Sequence, residues 1–361
     1  MNELETRISD AIDPACGLSL SATGARIRTV IEGGHAAVAL TLGYALAGDA
    51  HNALREAVAA VVAANGAQLA SFEVGHRIVS HAVQPNVSPL PRVRNIIAIG
   101  SGKGGVGKST TAVNLALALA AEGARVGVLD ADVYGPSVPM MLGLSGKPDS
   151  PDGKSIEPMR AHGVEAMSIG LMVEPDTPMI WRGPMATSAL TQLLNDTLWG
   201  GDASQGLDYL IVDLPPGTGD IQLTLAQKIP VAGAVIVTTP QDVATLDARK
   251  ALKMFEKVQV PVLGLVENMA VHVCTNCGQV EHLFGHGGGE RMAAKYGVPL
   301  LGSLPLEIGI REQGDVGIPI MVSAPDSKAA RAYRQMAIRV AAVLAARPRA
   351  GMPIATSLMP G

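Results

Sequence analysis

Short apolar runs alternate with longer segments of helical periodicity from about residue 93 to residue 346. A short apolar run bounded by turn residues is typical of a buried strand, whereas apolar positions three and four apart indicate a helix that faces a core. Regular alternation of the two predicts right-handed crossovers and a mostly parallel, doubly wound sheet, which is an α/β fold. Ligands of such sheets bind at the carboxyl ends of the strands. The predicted strands cover residues 95–100, 125–130, 164–169, 209–213, 234–239, 262–267 and 300–304, and the predicted helices cover residues 109–122, 185–198, 220–228, 243–258, 290–296 and 326–346.

Residues 1–83 have the pattern of a separate, small α/β unit. Three prolines fall within residues 84–92, which predicts an extended, helix-free linker and therefore a domain boundary. The main domain then covers residues 93–346, and the Pro/Gly-rich segment 347–361 is predicted to be a disordered tail. In the small unit, the predicted helices cover residues 4–12 and 52–64, and the predicted strands cover residues 26–31, 36–42 and 68–74.

Hydrophobic residues make up 48% of the chain but aromatic residues only 3%, so the core consists of small aliphatic side chains. Such a core suits a parallel sheet that is covered by helices on both faces. The net charge of −4 comes without a block of like charge, which argues against binding to nucleic acid or to an anionic membrane. The charged first residues do not resemble a secretory signal, and no apolar run reaches membrane-spanning length, so we expect a cytoplasmic protein.

A phosphate-binding motif lies between the first predicted strand and the first predicted helix of the main domain. The segment 102–109, Gly-Lys-Gly-Gly-Val-Gly-Lys-Ser, matches G-x-x-x-x-G-K-[ST]. Its backbone N–H groups would surround the phosphates of ATP, Lys108 would reach the β- and γ-phosphates, and the Ser109 hydroxyl would bind Mg²⁺. A glycine-rich turn without a ligand is the alternative, and the flanking strand and helix argue against it. The predicted nucleotide contacts in this loop are Gly102, Gly104, Gly105, Val106, Gly107, Lys108, Ser109 and Thr110.

Carboxylates follow two other predicted strands. Asp213 ends an apolar run, as does the carboxylate that holds Mg²⁺ through water in P-loop enzymes. Asp130 and Asp132 follow another strand. We expect Asp130 to belong to the cofactor-binding site and Asp132 to orient or deprotonate the attacking water. Strand-end aspartates that only cap helices are the alternative. The glycines before Asp220 favour a segment that senses the γ-phosphate, although Asp220 could instead be an ordinary N-cap.

A second lysine, Lys103, follows the first glycine of the loop, where an ordinary phosphate loop needs none. A lysine at this position could neutralise charge in a partner subunit's site, and the alternative is a solvent-exposed side chain. The motif at residues 103–110 resembles the deviant Walker A motif of dimerising ATPases, which include nitrogenase iron protein, MinD, ParA and the Mrp/ApbC proteins. The resemblance implies that Lys103 is catalytic across a homodimer that encloses the nucleotides.

A close pair of cysteines, Cys274 and Cys277, follows the predicted strand 262–267. Two thiolates three residues apart can bind one metal ion or one edge of a cluster, and a symmetric dimer would supply the four that a 4Fe–4S cluster requires. Structural zinc held also by His282 and His286 is an alternative, as are redox-active or inert thiols. Cys16 stands alone and is expected to be structural.

Residues 92–345 resemble the Mrp/ApbC iron–sulfur cluster carriers. This resemblance implies slow ATP hydrolysis coupled to the assembly of a labile 4Fe–4S cluster, its transfer to apoproteins, upstream scaffold proteins as partners, and adenine recognition by Asn268. Residues 1–83 resemble the small MIP18-type domain (DUF59). A MinD- or ParA-like spatial organiser and an electron donor like nitrogenase iron protein are the other functions considered. The resemblance rests on the motifs at residues 103–110, 130–137, 213–220, 238–241 and 267–277.

Overall fold

The computed structural model describes residues 2–172, 183–201, 206–274 and 276–351. The small N-terminal unit is a three-stranded sheet with two helices. Its second strand pairs with the first in antiparallel fashion and with the third in parallel, so the longer helix forms the crossover. Its elements are α1 (Glu3–Ser9), β1 (Arg26–Glu32), β2 (His35–Leu42), α2 (Gly48–Ala64) and β3 (Gln68–His76), which confirms the predicted elements of this segment.

The main domain consists of a nine-stranded sheet and the helices that cover it. Its first elements are β4 (Val93–Ser101), α3 (Lys108–Ala121), β5 (Val126–Asp130), α4 (Val138–Met141), β6 (Met159–Ala161), β7 (Val164–Ser168), a 3₁₀ turn (Ile169–Leu171), α5 (Gly183–Asp196) and β8 (Leu207–Asp213). It continues with α6 (Asp220–Lys228), β9 (Val231–Thr238), α7 (Asp242–Lys257), β10 (Val262–Val273), β11 (Val280–Glu281), α8 (Gly288–Tyr296), β12 (Leu300–Pro305), α9 (Ile308–Asp315), α10 (Ile320–Ser323) and α11 (Lys328–Ala345).

The order β11-β10-β9-β4-β8-β5-β7-β6, with β12 beside β10, confirms the mostly parallel sheet. Only the short strands β6 and β11 pair in antiparallel fashion. Every residue of β5, β8 and β9 is buried, because helices cover both faces, as their continuous apolar runs predict. β4 lies between β8 and β9, so its carboxyl end is at the centre of the sheet. Within the described residues, no helix has both the length and the apolarity needed to cross a membrane.

The structure differs from the predicted pattern at β10, which continues six residues beyond the predicted end at residue 267, to Val273. The added half pairs with β11 in a hairpin, and a shift of register separates it from the first half. The end of β10 is a strand because it pairs with β11 on the other side of the turn. The apolar run gives no sign of this pairing, so the predicted strand is too short. The short elements β6, β11, α4, α9 and α10 also escaped prediction, since none has a full period of apolar positions.

The segment that precedes the linker contacts the start of the predicted tail. The backbone N–H of Ala82 donates to Pro348 O at 3.0 Å, and that of Ala350 donates to Ser80 O at 2.9 Å. The side chain of Gln84 is buried and donates to the carbonyl of Ile229. The prediction of disorder is therefore wrong for residues 347–351, because backbone pairing with residues 80–82 orders them. Residues 352–361 lie outside the described part of the chain.

Candidate functional site: a phosphate loop and a cysteine pair

The predicted phosphate loop joins β4 to α3 at the carboxyl end of the sheet. Gly107 is the N-cap of α3, has a φ of 79° and offers no side-chain cap, so the first N–H groups of the helix point into the loop without a side-chain acceptor. A Cβ on Gly107 would lie 2.2 Å from Asn268 Nδ2, and one on Gly102 would lie 2.0 Å from the backbone carbon of Asp247. The loop is therefore pressed between two neighbouring segments, and only glycine fits at both positions.

Lys108 and Asp213 form a buried ion pair at the loop. Lys108 Nζ lies 2.6 Å from Asp213 Oδ1 and 3.3 Å from Ser109 Oγ. The second oxygen of Asp213, Oδ2, is buried and has no hydrogen-bond partner among the described residues. Burial raises the pKa of Asp213, and the charge of Lys108 opposes that rise. An unpartnered buried carboxylate oxygen beside a serine hydroxyl suits a hydrated Mg²⁺ ion, and a buried lysine suits phosphate oxygens.

Asp130 lies beside Asp213 on the neighbouring strand, but its carboxylate is occupied by the loop that follows it. Burial, followed by the charge of Asp213, raises the pKa of Asp130 to about 7. These contacts correspond to the capping alternative, because they hold the start of α4. The groups that donate to the carboxylate are the N–H groups of Asp132, Ser137 and Val138 and the hydroxyl of Ser168.

Asp132 lies in the loop between β5 and α4, with its side chain largely buried. Its Oδ1 accepts from the N–H groups of Tyr134 and Gly135, each at 3.3 Å. These long hydrogen bonds keep the carboxylate in the turn that follows β5.

The segment after Asp213 contacts the phosphate loop directly. The N–H of Gly217, whose φ is 97°, donates to Ser101 O at 3.1 Å. The N-cap of α6 is Gly219, and Asp220 is the first helical residue and exposed. The interpretation of Asp220 as the N-cap is therefore wrong, since its backbone is already helical.

Asn268 reaches the loop from β10. Its Nδ2 donates to the carbonyl of Val106 at 2.9 Å, and the residue is buried. Asn268 and Thr110 also line a cavity of about 390 Å³ beside the loop. Sequence reasoning missed three further residues that line this cavity, since they lie on α9 and α11 or just before them and carry no motif. They are Glu307, Arg311 and Tyr333, and the buried hydroxyl of Tyr333 has no partner among the described residues.

The cysteine pair lies in the turn between β10 and β11. The N–H of Cys274 donates to Gln279 O at 2.9 Å, and that of Gly278 donates to Cys274 O at 2.8 Å, which closes the turn. The backbone N–H groups of Cys277 and Asn276 lower the pKa of Cys274. Cys277 is exposed and Cys274 partly so. Both sulfurs are therefore accessible, and the turn favours the thiolate form that binds metals.

The histidines of the zinc alternative do not complete a site in the described residues. His282 directs Nδ1 to the carbonyl of Ala270 at 3.0 Å, and the His282 and His286 rings are 5.7 Å apart between centroids. Across the described ranges, no three His, Cys, Asp or Glu side chains are grouped so that they could hold a metal ion. The four-ligand zinc site is thus not assembled there. Lys103 is half-buried and makes no ion pair with any described residue.

A glycine-rich loop between a central strand and a helix, with a buried lysine and a strand-end aspartate, defines a P-loop NTPase. The chain belongs to the family of NUBPL iron-transfer P-loop NTPases, whose model matches residues 92–341. The N-terminal unit lies outside that match, so its resemblance to the MIP18-type domain stays a prediction.

Named relatives cover most of the chain. An iron–sulfur cluster carrier protein of Escherichia coli is 57% identical over 280 residues, which are 77% of this chain and 74% of the relative. The iron–sulfur cluster transfer protein NUBPL of Mus musculus is 49% identical over 266 residues, 73% of this chain and 82% of the relative.

Solved structures match the main domain. A nucleotide-binding protein of Archaeoglobus fulgidus, in complex with ADP, is 38% identical and superposes with a TM-score of 0.55. The match covers 63% of this chain and 87% of the chain of that protein. The cell division ATPase MinD of Pyrococcus furiosus is 24% identical and superposes with a TM-score of 0.50. The match covers 68% of this chain and 98% of the MinD chain, and at this identity it establishes only a shared fold.

Proposed function

We propose that this protein is an ATP-dependent iron–sulfur cluster carrier, which holds a labile 4Fe–4S cluster across a homodimer, hydrolyses ATP slowly and delivers the cluster to apoproteins. The observation that carries the proposal is the path of β10. This strand contacts the phosphate loop through Asn268 and ends at Val273, directly before Cys274, which lies at most about 20 Å further along at ~3.3 Å per residue. A change in the phosphate loop therefore acts on the strand that presents the thiols. The names of the Escherichia coli and mouse relatives support the same cargo.

The nucleotide site supplies the residues that slow hydrolysis requires. When ATP binds, Lys108 would leave Asp213 and pair with phosphate oxygens. Ser109 would bind Mg²⁺ directly, and Asp213 would hold it through water. The bound metal ion would neutralise phosphate charge in the transition state. Asp132 would orient the attacking water from its turn. Asn268 and the cavity beside it would receive the adenine.

Lys103 would complete the site of the partner subunit, and the dimer would bring four thiols together around the cluster. The cluster is cargo, received from scaffold proteins and passed to apoproteins in the cytoplasm. No nucleic-acid or membrane partner is part of the proposal, in keeping with the mixed surface charge.

Metal analysis of anaerobically prepared protein tests the cargo. We expect about four iron and four sulfide per dimer, and loss of both in a Cys274→Ala/Cys277→Ala variant. Cys16→Ala is the matched control, because Cys16 lies in the N-terminal unit with its thiol beside Tyr44, and it should retain the full content. Zinc in place of iron, or a full cluster in the double variant, would exclude the proposed cargo.

The two lysines of the loop should differ in nucleotide assays. Lys108→Ala removes the buried cation and should abolish ATP binding or hydrolysis. Lys103→Ala should leave most of the nucleotide affinity but reduce the hydrolysis rate, because its proposed target is the partner's nucleotide. Titration with a fluorescent ATP analogue and a phosphate-release assay separate the two effects. Equal loss of affinity in both variants would contradict the role across the dimer.

A further inference from the structure

A small cavity of about 100 Å³ lies where the N-terminal unit, the segment that precedes the linker and the end of α11 meet. Pockets for drug-sized ligands measure roughly 300–1,000 Å³, so this one suits a single small group. Arginines from three segments surround it: Arg26 begins β1, Arg77 follows β3, and Arg349 follows α11. Its buried wall includes His81 of the segment that precedes the linker.

The lining of this cavity carries positive charge without compensation. No Asp or Glu is among its described lining residues, and none of Arg26, Arg77 and Arg349 forms an ion pair with a described residue. All three arginines are exposed, and positive charge from three sides of one cavity favours an anion there. Guanidinium groups match the oxygens of a phosphate in geometry and form short, charge-assisted hydrogen bonds with them.

His81 adds an unsatisfied polar atom to the same wall. The residue is only 3% exposed, and its Nε2 has no partner among the described residues. Its Nδ1 lies 3.0 Å from Asn95 Oδ1, and the Asn95 amide donates to Val79 O, which identifies the amide oxygen. Nδ1 therefore carries the ring proton, and Nε2 presents a lone pair. Burial lowers the pKa of His81, although the interactions of the ring with Asn95 and with the backbone of Ala345 act in the opposite direction, and the charges of Arg349 and Arg347 lower it further, so the ring is neutral.

We propose that this cavity is a binding site for inorganic phosphate, held by Arg26, Arg77 and Arg349. The P–OH of the anion would donate to Nε2 of His81, which satisfies the one buried polar atom of the wall that lacks a partner. The site is separate from the nucleotide site. Asn95, which holds His81, lies near the start of β4, and Ser101 at its end lies about 20 Å away at ~3.3 Å per residue.

Phosphate in this cavity would join three segments that are distant in sequence. Arg26 and Arg77 belong to the N-terminal unit, whereas Arg349 follows the last helix of the main domain. The backbone of Arg349 already pairs with His81 as an isolated bridge. Binding would therefore stabilise the junction between the two units and raise the melting temperature with phosphate concentration.

Calorimetric titration of the full-length protein with inorganic phosphate tests the site, with saturating ADP and Mg²⁺ present to occupy the phosphate loop. We expect one phosphate per chain. Each of Arg26→Ala, Arg77→Ala and Arg349→Ala should weaken binding by about tenfold, the usual cost of a lost charged hydrogen bond. Arg55→Ala is the control, because Arg55 is an exposed arginine on α2 outside the cavity, and its affinity should stay that of the wild type.

A variant of His81 separates the proposed hydrogen bond from general charge attraction. His81→Asn keeps a donor at the position of Nδ1 for Asn95 and removes Nε2. It should weaken phosphate binding but leave sulfate binding unchanged, because sulfate has no O–H at neutral pH. Glycerol 3-phosphate in a parallel titration tests the same hydrogen bond: a monoester is largely dianionic near neutral pH and lacks a P–OH, so it should bind more weakly than inorganic phosphate, and tighter binding would contradict the proposed contact with His81.

Three outcomes would overturn the site. They are the absence of saturable phosphate binding to the wild type, unchanged binding in the triple arginine variant, and an equal loss in Arg55→Ala. The melting temperature and ADP affinity of each variant establish that it is folded, so a loss of phosphate binding is attributed to the cavity.

Discussion

At the scale of single residues, Gly107 and Asn268 show how closely the phosphate loop is fitted. The amide of Asn268 donates to Val106 O at 2.9 Å and lies where a Cβ on Gly107 would be. The loop is thus held in a phosphate-ready shape by a side chain from β10. Gly107 is required both for its positive φ and for this close approach.

The substitution Gly107→Ala should destabilise the nucleotide-free protein by about 1 kcal/mol more than Gly105→Ala. Both glycines have nearly the same φ, 79° and 78°, so the backbone strain is shared. Only at Gly107 does the new Cβ displace the Asn268 amide, since the space at Gly105 is open. Urea unfolding of both variants measures the difference.

A double-mutant cycle with Asn268→Ala provides the control. In the Asn268→Ala background, the hydrogen bond and the collision are both absent, so Gly107→Ala should cost no more than Gly105→Ala. An unchanged excess cost would show that the contact with Asn268 is not its cause.

At the scale of elements, Glu122 connects the helix of the phosphate loop to the N-terminal unit. It is the C-cap of α3 and is almost fully buried. Its carboxylate accepts from the N–H of Ala47, at the start of α2, at 2.7 Å, and from Arg334 Nε of α11 at 2.8 Å. One carboxylate therefore joins three helices from both units. Through it, α3 connects the nucleotide site to the N-terminal unit.

Glu122→Ala should lower the free energy of unfolding by about 1–3 kcal/mol, because it leaves a buried N–H and a guanidinium without their acceptor. The N-terminal unit should separate more readily, so limited proteolysis within residues 84–92 should become faster. Glu56→Ala on α2 is the control, since Glu56 is exposed and unpaired among the described residues. Equal proteolysis rates in the two variants would contradict the connecting role of Glu122.

At the scale of the whole molecule, the start of α7 presents an apolar surface next to the phosphate loop. Val243 is 64% exposed and Leu246 is 58% exposed, and the backbone of Asp247 lies against Gly102. Apolar residues exposed beside a ligand site commonly mark an interface. The proposed dimer, in which each Lys103 reaches the other nucleotide, would cover this surface.

Leu246→Asp should therefore abolish ATP-dependent dimerisation in sedimentation velocity while the nucleotide affinity of the monomer is retained. Iron bound per chain should fall as well, because a single chain offers only two thiols. Val30→Asp is the matched control: Val30 is 59% exposed, but it lies on β1 of the N-terminal unit. A dimer that persists in Leu246→Asp, or is lost equally in Val30→Asp, would place the interface elsewhere.

Local sequence determined the elements that carry continuous periodicity and the chemistry that depends on adjacent residues. Sequence patterns that extend over a few neighbouring residues predicted the parallel strands, their helices and the phosphate loop with Lys108. The proximity of Asp213 to Lys108 also followed, since carboxyl ends of parallel strands meet at one edge.

Only the tertiary structure decided which side chains meet across distant segments. Examples are the contact of Asn268 with Val106, the contact of Glu122 with Ala47, and the arginines around His81. No local pattern encodes such distances, because they depend on strand order, register and the packing of the two units. The sequence by itself thus determined a nucleotide-binding α/β protein with a thiol pair, and the fold decided that one strand, β10, connects the two.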